Sequence, residues 1–335
     1  MDLATRYMGL ELKNPLVASA SPLTAELGNI RQLEDSGAAA IVLPSIFEEQ
    51  IESETQRYDH LTSAGSDSFA EALSYFPQPA NYRVGPDHYL DLIGRAVEAV
   101  AIPIIASLNG TTDEGWIGYA KQIEEAGAKG IELNVYFIPS DLSLTGREVE
   151  QRYLDILCAV RAAVTIPVAL KLSPYFSAVG NMAKELDRAG AAALVLFNRF
   201  YQPDIDLSQL RLRNDLQLSE RYEIRLPLLW IALLSGRIGA SLAASTGVES
   251  SEQVLKYLLA GADVVMTTSA LLRHGVRYME SLLMGLKSWL SAREIDSLDQ
   301  IRGALSRSRV HNPAIFERAN YIKILEGYVG LGVRP

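Results

Sequence analysis

The chain has a single cysteine, Cys158, among its 335 residues. One cysteine excludes an internal disulfide, a paired-cysteine redox centre and a zinc or iron–sulfur site built from cysteines. We expect Cys158, within the helix-like stretch 154–160, to be a small core residue rather than a nucleophile. The four histidines show no metal-binding spacing such as HExxH, so no metal site is predicted. A reducing compartment, the cytoplasm, is expected.

Long apolar runs and an excess of positive charge are also missing. The longest apolar stretches, such as 226–234, have roughly ten residues, whereas a membrane-spanning helix needs about twenty. No basic region followed by an apolar stretch is seen near Met1, so no secretory signal is expected. The 31 Lys and Arg against 40 Asp and Glu give a net charge of −9, the wrong sign for neutralising phosphates. We therefore predict no membrane partner and no nucleic acid partner.

The sequence does contain a recurring motif. In each copy, a helical stretch ends at a small residue followed by Gly-Ala, and a run of apolar residues comes next. Its four glycines are Gly37, Gly127, Gly190 and Gly261. Glycine supplies the left-handed residue that closes a helix, and the apolar runs are typical of buried parallel strands. Hydrophobic residues make up 48% of the chain, enough for a large core built from such alternating units.

Eight strands follow from this pattern and from two Ile-Pro strand entries. The predicted strands cover residues 16–19, 41–43, 101–106, 130–133, 165–170, 194–196, 239–244 and 264–266. Eight alternating βα units predict one (β/α)8 barrel, an α/β fold, as a single domain over residues 1–335. The alternative is a doubly wound sheet, which would place a Gly-rich turn after its first strand, whereas residues 18–27 contain no glycine.

Three parts of the chain exceed the barrel repeat. Residues 47–87 follow the second predicted strand and residues 199–225 follow the sixth, and both are longer than ordinary loops. Long loops at this position in barrels form lids and substrate walls. After Gly275, two or three further helices are predicted, through Trp289 and on to Tyr328, packed outside the barrel.

Polar residues end most of the predicted strands, and the carboxyl ends of the strands are where barrels carry out chemistry. These residues are Ser19, Ser21, Ser45, Asn109, Asn134, Lys171, Asn198, Ser245, Thr246, Gly247, Thr267, Thr268 and Ser269. The last two groups follow the seventh and eighth strands, where barrels commonly bind phosphate, so we predict a phosphorylated ligand. The alternative is that these small residues only cap the helices that follow.

Lys171 lies inside an apolar strand, where an unpaired charge would be costly. It therefore needs an anionic partner or must lose its charge, unless it extends to the rim of the barrel. Two functional interpretations remain open: contact with a charged cofactor, or a Schiff-base nucleophile as in barrel aldolases. The three asparagines at the same rim, Asn109, Asn134 and Asn198, suit hydrogen bonding to a planar ligand.

Residues 169–176 read Ala-Leu-Lys-Leu-Ser-Pro-Tyr-Phe, and with three further segments they carry a family resemblance. The other segments are Asn14-Pro15 leading to 18–21, Asp87–Asp91, and Glu132-Leu133-Asn134. Across nearly its whole length the chain resembles the dihydroorotate dehydrogenase family, FMN-containing (β/α)8 barrels that oxidise dihydroorotate to orotate in pyrimidine synthesis.

The resemblance implies FMN as the cofactor and a small-molecule substrate. It implies that Lys171 stabilises negative charge on the reduced ring and that Asn134 and Asn198 contact the substrate or the flavin. The expected cofactor-binding residues are Ala20, Ser21, Asn109, Asn134, Lys171, Ser245, Thr246, Gly247, Thr268 and Ser269. Homodimers are common in the soluble members, and reoxidation would use a soluble acceptor or a separate electron-transfer partner.

The residue expected to act as the base differs from the family. Phe137 stands where the family has a Cys or Ser that removes a proton from dihydroorotate, and phenylalanine cannot accept a proton. Tyr136, Ser140 and Ser143 are the candidate replacements, and Ser140 is taken as the third catalytic residue beside Lys171 and Asn134.

The sequence differs from the family at other positions as well. The family lysine at the end of the second strand is absent near Ser45, Pro139 replaces a substrate-binding asparagine, and Arg199 replaces a small hydroxyl residue. No glycine occurs between Arg199 and Ser235, where the family has a Gly-rich loop. A different substrate, a flavin-binding protein without catalysis and a Schiff-base lyase using Lys171 therefore stay open as alternatives.

Overall fold

A computed structural model describes residues 1–47, 86–110, 114–200, 202–213 and 215–316. The strands in chain order are β1 (Thr5–Tyr7), β2 (Leu10–Leu12), β3 (Leu16–Ala18), β4 (Ala40–Phe47), β5 (Ile104–Asn109), β6 (Gly130–Asn134), β7 (Val168–Leu172), β8 (Ala193–Leu196), β9 (Asp204–Asp206), β10 (Arg211–Arg213), β11 (Ser241–Ala244) and β12 (Val264–Thr267). The pairs β1–β2 and β9–β10 are antiparallel hairpins. The other eight strands are parallel neighbours in a closed barrel, in the order β3-β4-β5-β6-β7-β8-β11-β12. The predicted (β/α)8 barrel is confirmed.

Helices surround the barrel. In chain order, those described are α1 (Leu27–Asp35), α2 (Pro86–Ala99), α3 (Glu114–Glu125), α4 (Gly146–Ala163), α5 (Val179–Arg188), α6 (Arg225–Leu234), α7 (Ser251–Ala260), α8 (Ser269–His274) and α9 (Tyr278–Ser291). Short 3-10 turns cover Pro22–Ala25, Arg221–Ile224, Leu298–Gln300 and Pro313–Phe316. None of the helices in these ranges is long and apolar enough to cross a bilayer.

Local sequence explains where the elements begin and end. The glycines of the recurring motif all have positive φ, between 88° and 115°, so each closes its helix as predicted. Strands β5 and β7 begin one residue after Pro103 and Pro167, later than predicted, because proline lacks the amide hydrogen that a central strand donates. Strand β4 continues through Pro44 to Phe47, with a shift of register against β5 at the proline.

The segments outside the barrel repeat are partly described. The insertion after the sixth barrel strand holds the hairpin β9–β10 and the 3-10 turn at 221–224. Most of the predicted insertion 47–87 lies outside the described residues, as do residues 317–335 with the predicted helix end at Tyr328. The expectation for Cys158 is wrong: it is exposed on α4, because Ile156, Leu157 and Val160 take the buried face.

Side chains fill the barrel, and the N-terminal hairpin closes one end of it. Tyr7 and Met8 join the interior cluster formed by alternate residues of the strands. The Met8 amide donates to Ser241 Oγ at 3.3 Å, and the Met8 methyl lies 2.9 Å from where a Cβ on Gly130 would stand. Since Gly130 and Ser241 are the first residues of β6 and β11, the hairpin plugs the amino ends of the strands. The site must therefore lie at the carboxyl ends.

Asn14 holds the entry to β3. It is 3% exposed; its Nδ2 donates to the Gly37 carbonyl at 2.8 Å, and its Oδ1 accepts from the Leu16 amide at 2.9 Å. In an Asn14→Ala variant both backbone groups lose their partner, so the unfolding free energy in urea should fall by about 1–3 kcal/mol. An Asn14→Gln variant, with the same groups one methylene further out, should recover no more than part of this. A loss within about 0.5 kcal/mol, the usual range for surface changes, would contradict the assignment.

Candidate active site

Lys171, Asn134 and Asn198 lie together at the carboxyl ends of three neighbouring strands. Asn134 on β6 stands opposite Lys171 on β7 in the strand register. The Asn198 amide, just beyond β8, donates to the Leu172 carbonyl at 2.8 Å. Asn198 Nδ2 donates to Asn134 Oδ1, also at 2.8 Å. The chain thus brings these three predicted site residues into one group, which we call the polar floor.

Lys171 has the anionic partner that its buried position requires. Its Nζ lies 3.5 Å from Glu132 Oε1, and the two side chains are 11% and 1% exposed. Glu132 is two residues before Asn134 on β6 and therefore points to the same face, the barrel interior. Sequence analysis did not single out Glu132 as a site residue. The signal was present, because a carboxylate in an apolar strand beside a buried lysine indicates a pair.

Two buried polar atoms, one in this pair and one on Tyr7, have no hydrogen-bond partner among the described residues. Glu132 Oε2 and the Tyr7 hydroxyl are buried and form no hydrogen bond within the described part of the chain. Burial raises the pKa of the Tyr7 phenol well above its usual value, and the negative charges of Glu132 and Asp263 raise that pKa further. Tyr7 is therefore a neutral phenol at any ordinary pH, and Glu132 is left to balance Lys171 alone.

The segments after β11 and β12 meet a serine from the insertion. Thr246 has a φ of +79° and Gly247 a φ of +72°, and the Thr246 hydroxyl donates to the Phe197 carbonyl at 2.9 Å. The Gly247 amide donates to Ser219 Oγ at 3.2 Å, and Ser219 Oγ lies 2.9 Å from Ser269 Oγ. Ser219 thus joins both predicted phosphate-binding segments. No local pattern in the sequence marks it, because its role depends on loops distant in the chain.

The remaining predicted cofactor residues border the same barrel end. Thr268 Oγ1 donates to the Ser19 carbonyl at 3.2 Å, next to Ala20, which joins the ends of β12 and β3. Ser21 is 6% exposed and its hydroxyl has no partner among the described residues. Asn109 ends β5 opposite Asn134. Ser245 follows β11 directly, and its amide donates to the Leu196 carbonyl at 2.8 Å.

The loop after β6 carries Phe137 and the two serines, Ser140 and Ser143, that are candidates for the base. The Phe137 ring lies under the Arg152 guanidinium, 4.0 Å from its centroid. Ser140 and Ser143 are both exposed. Ser143 Oγ donates to the Asp141 carboxylate at 2.7 Å, and bonds from Ser143 lower the pKa of Asp141. No hydrogen bond within the described residues joins Ser140 or Ser143 to Lys171 or the asparagines.

Three aromatic side chains lie in the segments that follow the same three strands. Tyr136, Tyr175 and Phe200 come two to four residues after Asn134, Lys171 and Asn198, respectively. The Phe200 ring centroid lies 4.6 Å from that of Tyr136 and 5.7 Å from that of Tyr175. We call these rings the aromatic layer.

A cavity of about 320 Å³ opens beside this layer, bounded by Asn198, Thr246 and the first turn of α6. We call it the aromatic cavity. Its wall includes Arg199, whose Nε lies 3.0 Å from Glu223 Oε1 and which also donates to the Gln217 carbonyl. The site therefore combines hydrogen-bonding amides, one internally balanced lysine and an aromatic wall, which together can hold a planar ligand.

The described residues contain no group of three or more His, Cys, Asp or Glu side chains that could hold a metal ion. Strand β4 has no lysine at its carboxyl end, where the family resemblance led us to expect one. Ser45 lies there instead, and its Oγ is 2.7 Å from Ser107 Oγ, so the two hydroxyl groups form a hydrogen bond with each other.

Comparison with known proteins agrees with this architecture. The family model for dihydroorotate dehydrogenase matches residues 2–290. A putative dihydroorotate dehydrogenase A (fumarate) of Aeropyrum pernix is 26% identical over 314 residues, 92% of this chain and 98% of that protein. The NAD-dependent dihydropyrimidine dehydrogenase subunit PreA of Escherichia coli K12 is 24% identical over 92% of this chain and 78% of its own length. The catalytic subunit of dihydroorotate dehydrogenase B (NAD(+)) of Thermoplasma acidophilum is 23% identical over 91% and 99%. The chain belongs to the dihydroorotate dehydrogenase family and is an oxidoreductase of that family.

Proposed function

We propose that this protein is an FMN-dependent oxidoreductase that removes two hydrogens from neighbouring carbons of a small ring of the dihydropyrimidine type. One observation carries the proposal. Lys171 stands at the barrel mouth between Asn134 and Asn198, with Glu132 behind it, in a chain of the dihydroorotate dehydrogenase family.

The residues present fit FMN. The buried Ser21 hydroxyl has no partner, so it is available to a polar atom of a bound ring. Asn109 and Asn134 supply the donors and acceptors that a flavin edge requires. Thr246, Gly247 and Ser269 would hold the phosphate, in the position after the last two strands where barrels commonly do so. When bound, FMN supplies the acceptor for a hydride.

Within such a site, this chain's residues would have separate roles. The Lys171 ammonium would stabilise negative charge that develops beside it, since a fixed charge in a nearly dry site interacts strongly. Asn134 and Asn198 would orient the substrate ring, and the aromatic layer would keep water from it. The second hydrogen leaves as a proton, and we propose that Ser140 takes it while passing its own hydroxyl proton to solvent, to which Ser140 is exposed.

The serine assignment predicts a measurable loss. A Ser140→Ala variant should lower the rate of substrate-dependent flavin bleaching by about 10²- to 10⁴-fold, the usual contribution of a general base. Ser143→Ala is the matched control, because Ser143 is on the same loop and bonded to Asp141, and it should change the rate little. If the Ser140→Ala variant bleached its flavin as fast as the Ser143→Ala variant and the unchanged protein, another group would have to accept the proton.

The test of the function is an anaerobic visible spectrum of the purified full-length protein, before and after dihydroorotate is added. We expect a flavin band that bleaches with dihydroorotate or a related dihydropyrimidine. A band that no substrate bleaches would favour the second candidate, a non-catalytic flavin-binding protein, which Phe137 at the base position supports. No band, even after FMN is supplied, would overturn the proposal. Borohydride trapping of a carbonyl compound on Lys171 would then favour a Schiff-base lyase.

We further propose that the reduced cofactor is reoxidised outside this chain, by a soluble acceptor or a partner subunit. Two of the relatives are themselves named as subunits. A homodimer is proposed as the assembly, and sedimentation of the purified protein with and without candidate partners would test both statements.

A further inference from the structure

We propose that Tyr7, in the N-terminal hairpin, is a positioning residue for Lys171, and that it acts through one buried water molecule on the second carboxylate oxygen of Glu132. The inference rests on the proposed function, because it gives the hairpin a part in placing the charge that faces the cofactor. Three features of the described residues support it: the place of Tyr7 in the barrel, the polar atoms found there, and the way the ion pair is held.

Tyr7 enters the barrel beside two contacts of its neighbour in the hairpin. The Met8 amide donates to Ser241 Oγ at 3.3 Å, and the Met8 methyl packs against Gly130. Glu132 stands two residues after Gly130 on β6 and points to the same interior face. One row of paired residues connects these two contact points across the barrel wall, in the order Glu132, Ala169, Ala193 and Ser241. The two alanines belong to the interior cluster of Tyr7, so short side chains leave the barrel axis beside Glu132 to the tyrosine.

Two buried polar atoms in this interior have no partner among the described residues. Tyr7 is completely buried, and neither its hydroxyl nor Glu132 Oε2 forms a hydrogen bond there. The negative charge of Glu132 reaches the phenol and raises its pKa. Buried polar groups are nearly always bonded, and an internal water molecule that bonds two to four of them is a common solution. Such a water molecule would accept from the Tyr7 hydroxyl and donate to Glu132 Oε2.

Asp263 does not compete for the hydroxyl proton of Tyr7. Its charge also reaches the phenol, but both of its carboxylate oxygens already have partners. Oδ1 accepts from Arg302 at 3.3 Å, and Oδ2 accepts from a backbone amide of β11 at 2.8 Å. Glu132 is held through Oε1 alone, by Lys171 at 3.5 Å. A neutral phenol donates one hydrogen, so the favourable direction is toward the carboxylate oxygen that lacks a partner.

The bridge would divide the two oxygens of Glu132 between two partners. Oε1 faces Lys171, while Oε2 would be held toward the hairpin. Without the phenol, both oxygens are open to the ammonium group, which would be drawn into the barrel and away from the carboxyl ends of the strands. Tyr7 therefore keeps the charge of Lys171 at the polar floor, where a fixed charge stabilises negative charge most strongly.

Tyr7→Phe removes the hydroxyl and keeps the ring, so the hairpin still fills the barrel. In the FMN-loaded full-length protein we expect the midpoint potential of the flavin to fall by about 15–30 mV, about a three- to tenfold change in the equilibrium constant of a two-electron couple. The physical reason is that Lys171 then stabilises the reduced cofactor less.

Tyr153→Phe serves as the control for loss of a buried phenol. Tyr153 is also buried, and its hydroxyl donates to the Val135 carbonyl at 3.0 Å. This variant should lose stability toward urea without a change in the flavin potential, because its hydroxyl bonds the backbone and not the ion pair. An equal fall in potential in Tyr153→Phe would overturn the specific role of Tyr7.

A high-resolution crystal structure of the apoprotein tests the bridge without the cofactor. We expect a water molecule about 3 Å from both the Tyr7 hydroxyl and Glu132 Oε2. In Tyr7→Phe the water molecule should be lost, and both oxygens of Glu132 should turn toward Lys171. No water molecule in the unchanged protein, or one that bonds Glu132 without Tyr7, would overturn the bridge.

The two proposals fail in different ways. A protein that takes up no FMN would overturn the proposed function and the role of Tyr7 toward the cofactor, whereas the apoprotein structure would still decide whether Tyr7 holds Glu132. A protein that binds FMN and keeps its potential in Tyr7→Phe would overturn the positioning role alone.

Discussion

A Lys171→Met variant is expected to lose about 3–5 kcal/mol of unfolding free energy, because removing one partner of a buried ion pair leaves the other charge uncompensated. Glu132, 1% exposed, would be the stranded charge, and its second oxygen already has no hydrogen-bond partner in the described chain. Few single substitutions cost as much. Urea denaturation of the apoprotein measures the loss without any contribution from a cofactor.

The same substitution should also remove function, and a double variant separates the two effects. Replacing both partners, as Lys171→Met with Glu132→Leu, removes the stranded charge, so most of the lost stability should return. The rate of flavin reduction should stay about 10²- to 10³-fold below that of the wild-type protein in both variants, since the stabilising charge is absent from each.

Lys184 provides the matched control for charge. It is exposed on α5, and Lys184→Met should change neither stability nor rate appreciably. If the double variant were as unstable as the single one, the ion pair would not be the reason for the loss, and Lys171 would matter through its packing instead.

The barrel was predictable because the residues that end its helices and form its strands are restricted by chemistry. A helix that ends in a left-handed residue favours glycine, and a parallel strand covered on both faces must be apolar. Gly37, Gly127, Gly190 and Gly261 therefore marked four strands, and all four glycines have the positive φ that the argument requires. Proline marked two more strands, although each strand begins just after the proline rather than at it.

The two hairpins were not predictable in the same way. Strands β1 and β2 have three residues each, too short for a period to emerge, yet they place Tyr7 in the barrel interior. The strands β9 and β10 alternate polar and apolar residues over only three positions each, and they are mostly exposed, including Ile205 and Leu212, so this alternation does not mark a buried face. Short or fully exposed strands depend on tertiary contacts that local pattern does not encode.

At the candidate site, the sequence located the groups but not their pairing. Lys171 lies in an apolar strand and therefore needed an anionic partner. The period of two along β6 places Glu132 on the same face as Asn134, so the ion pair between Lys171 and Glu132 could have been predicted. Ser219 could not, since its bond to Gly247 joins loops 28 residues apart in the chain. Such contacts arise from the closure of the barrel, which brings distant strand ends to one rim.

A Gly247→Ala variant should lose about 2–5 kcal/mol of stability, because it adds a close contact to an unfavourable backbone conformation. At its φ of +72°, a Cβ would lie 2.7 Å from Ile224 Cγ2 and 2.9 Å from both the Glu220 carbonyl oxygen and the Ile224 amide nitrogen. Two of these three atoms are backbone, so no rotation of a side chain relieves the contact. The 3-10 turn Arg221–Ile224 must move, and it would carry Ser219 away from the Gly247 amide.

Gly9→Ala isolates the backbone contribution, since Gly9 has a φ of +82° with nothing within 4 Å of a Cβ. It should cost only about 1–2 kcal/mol, the penalty of the left-handed conformation itself. The difference between the two variants in urea denaturation therefore measures the close packing of the insertion against the segment after β11. Titration with FMN gives the second comparison: the affinity should fall at least about tenfold in Gly247→Ala and stay unchanged in Gly9→Ala. Unchanged FMN affinity in both variants would place the phosphate elsewhere, because a displaced turn at 221–224 cannot leave a phosphate site formed by Gly247 and Ser269 intact.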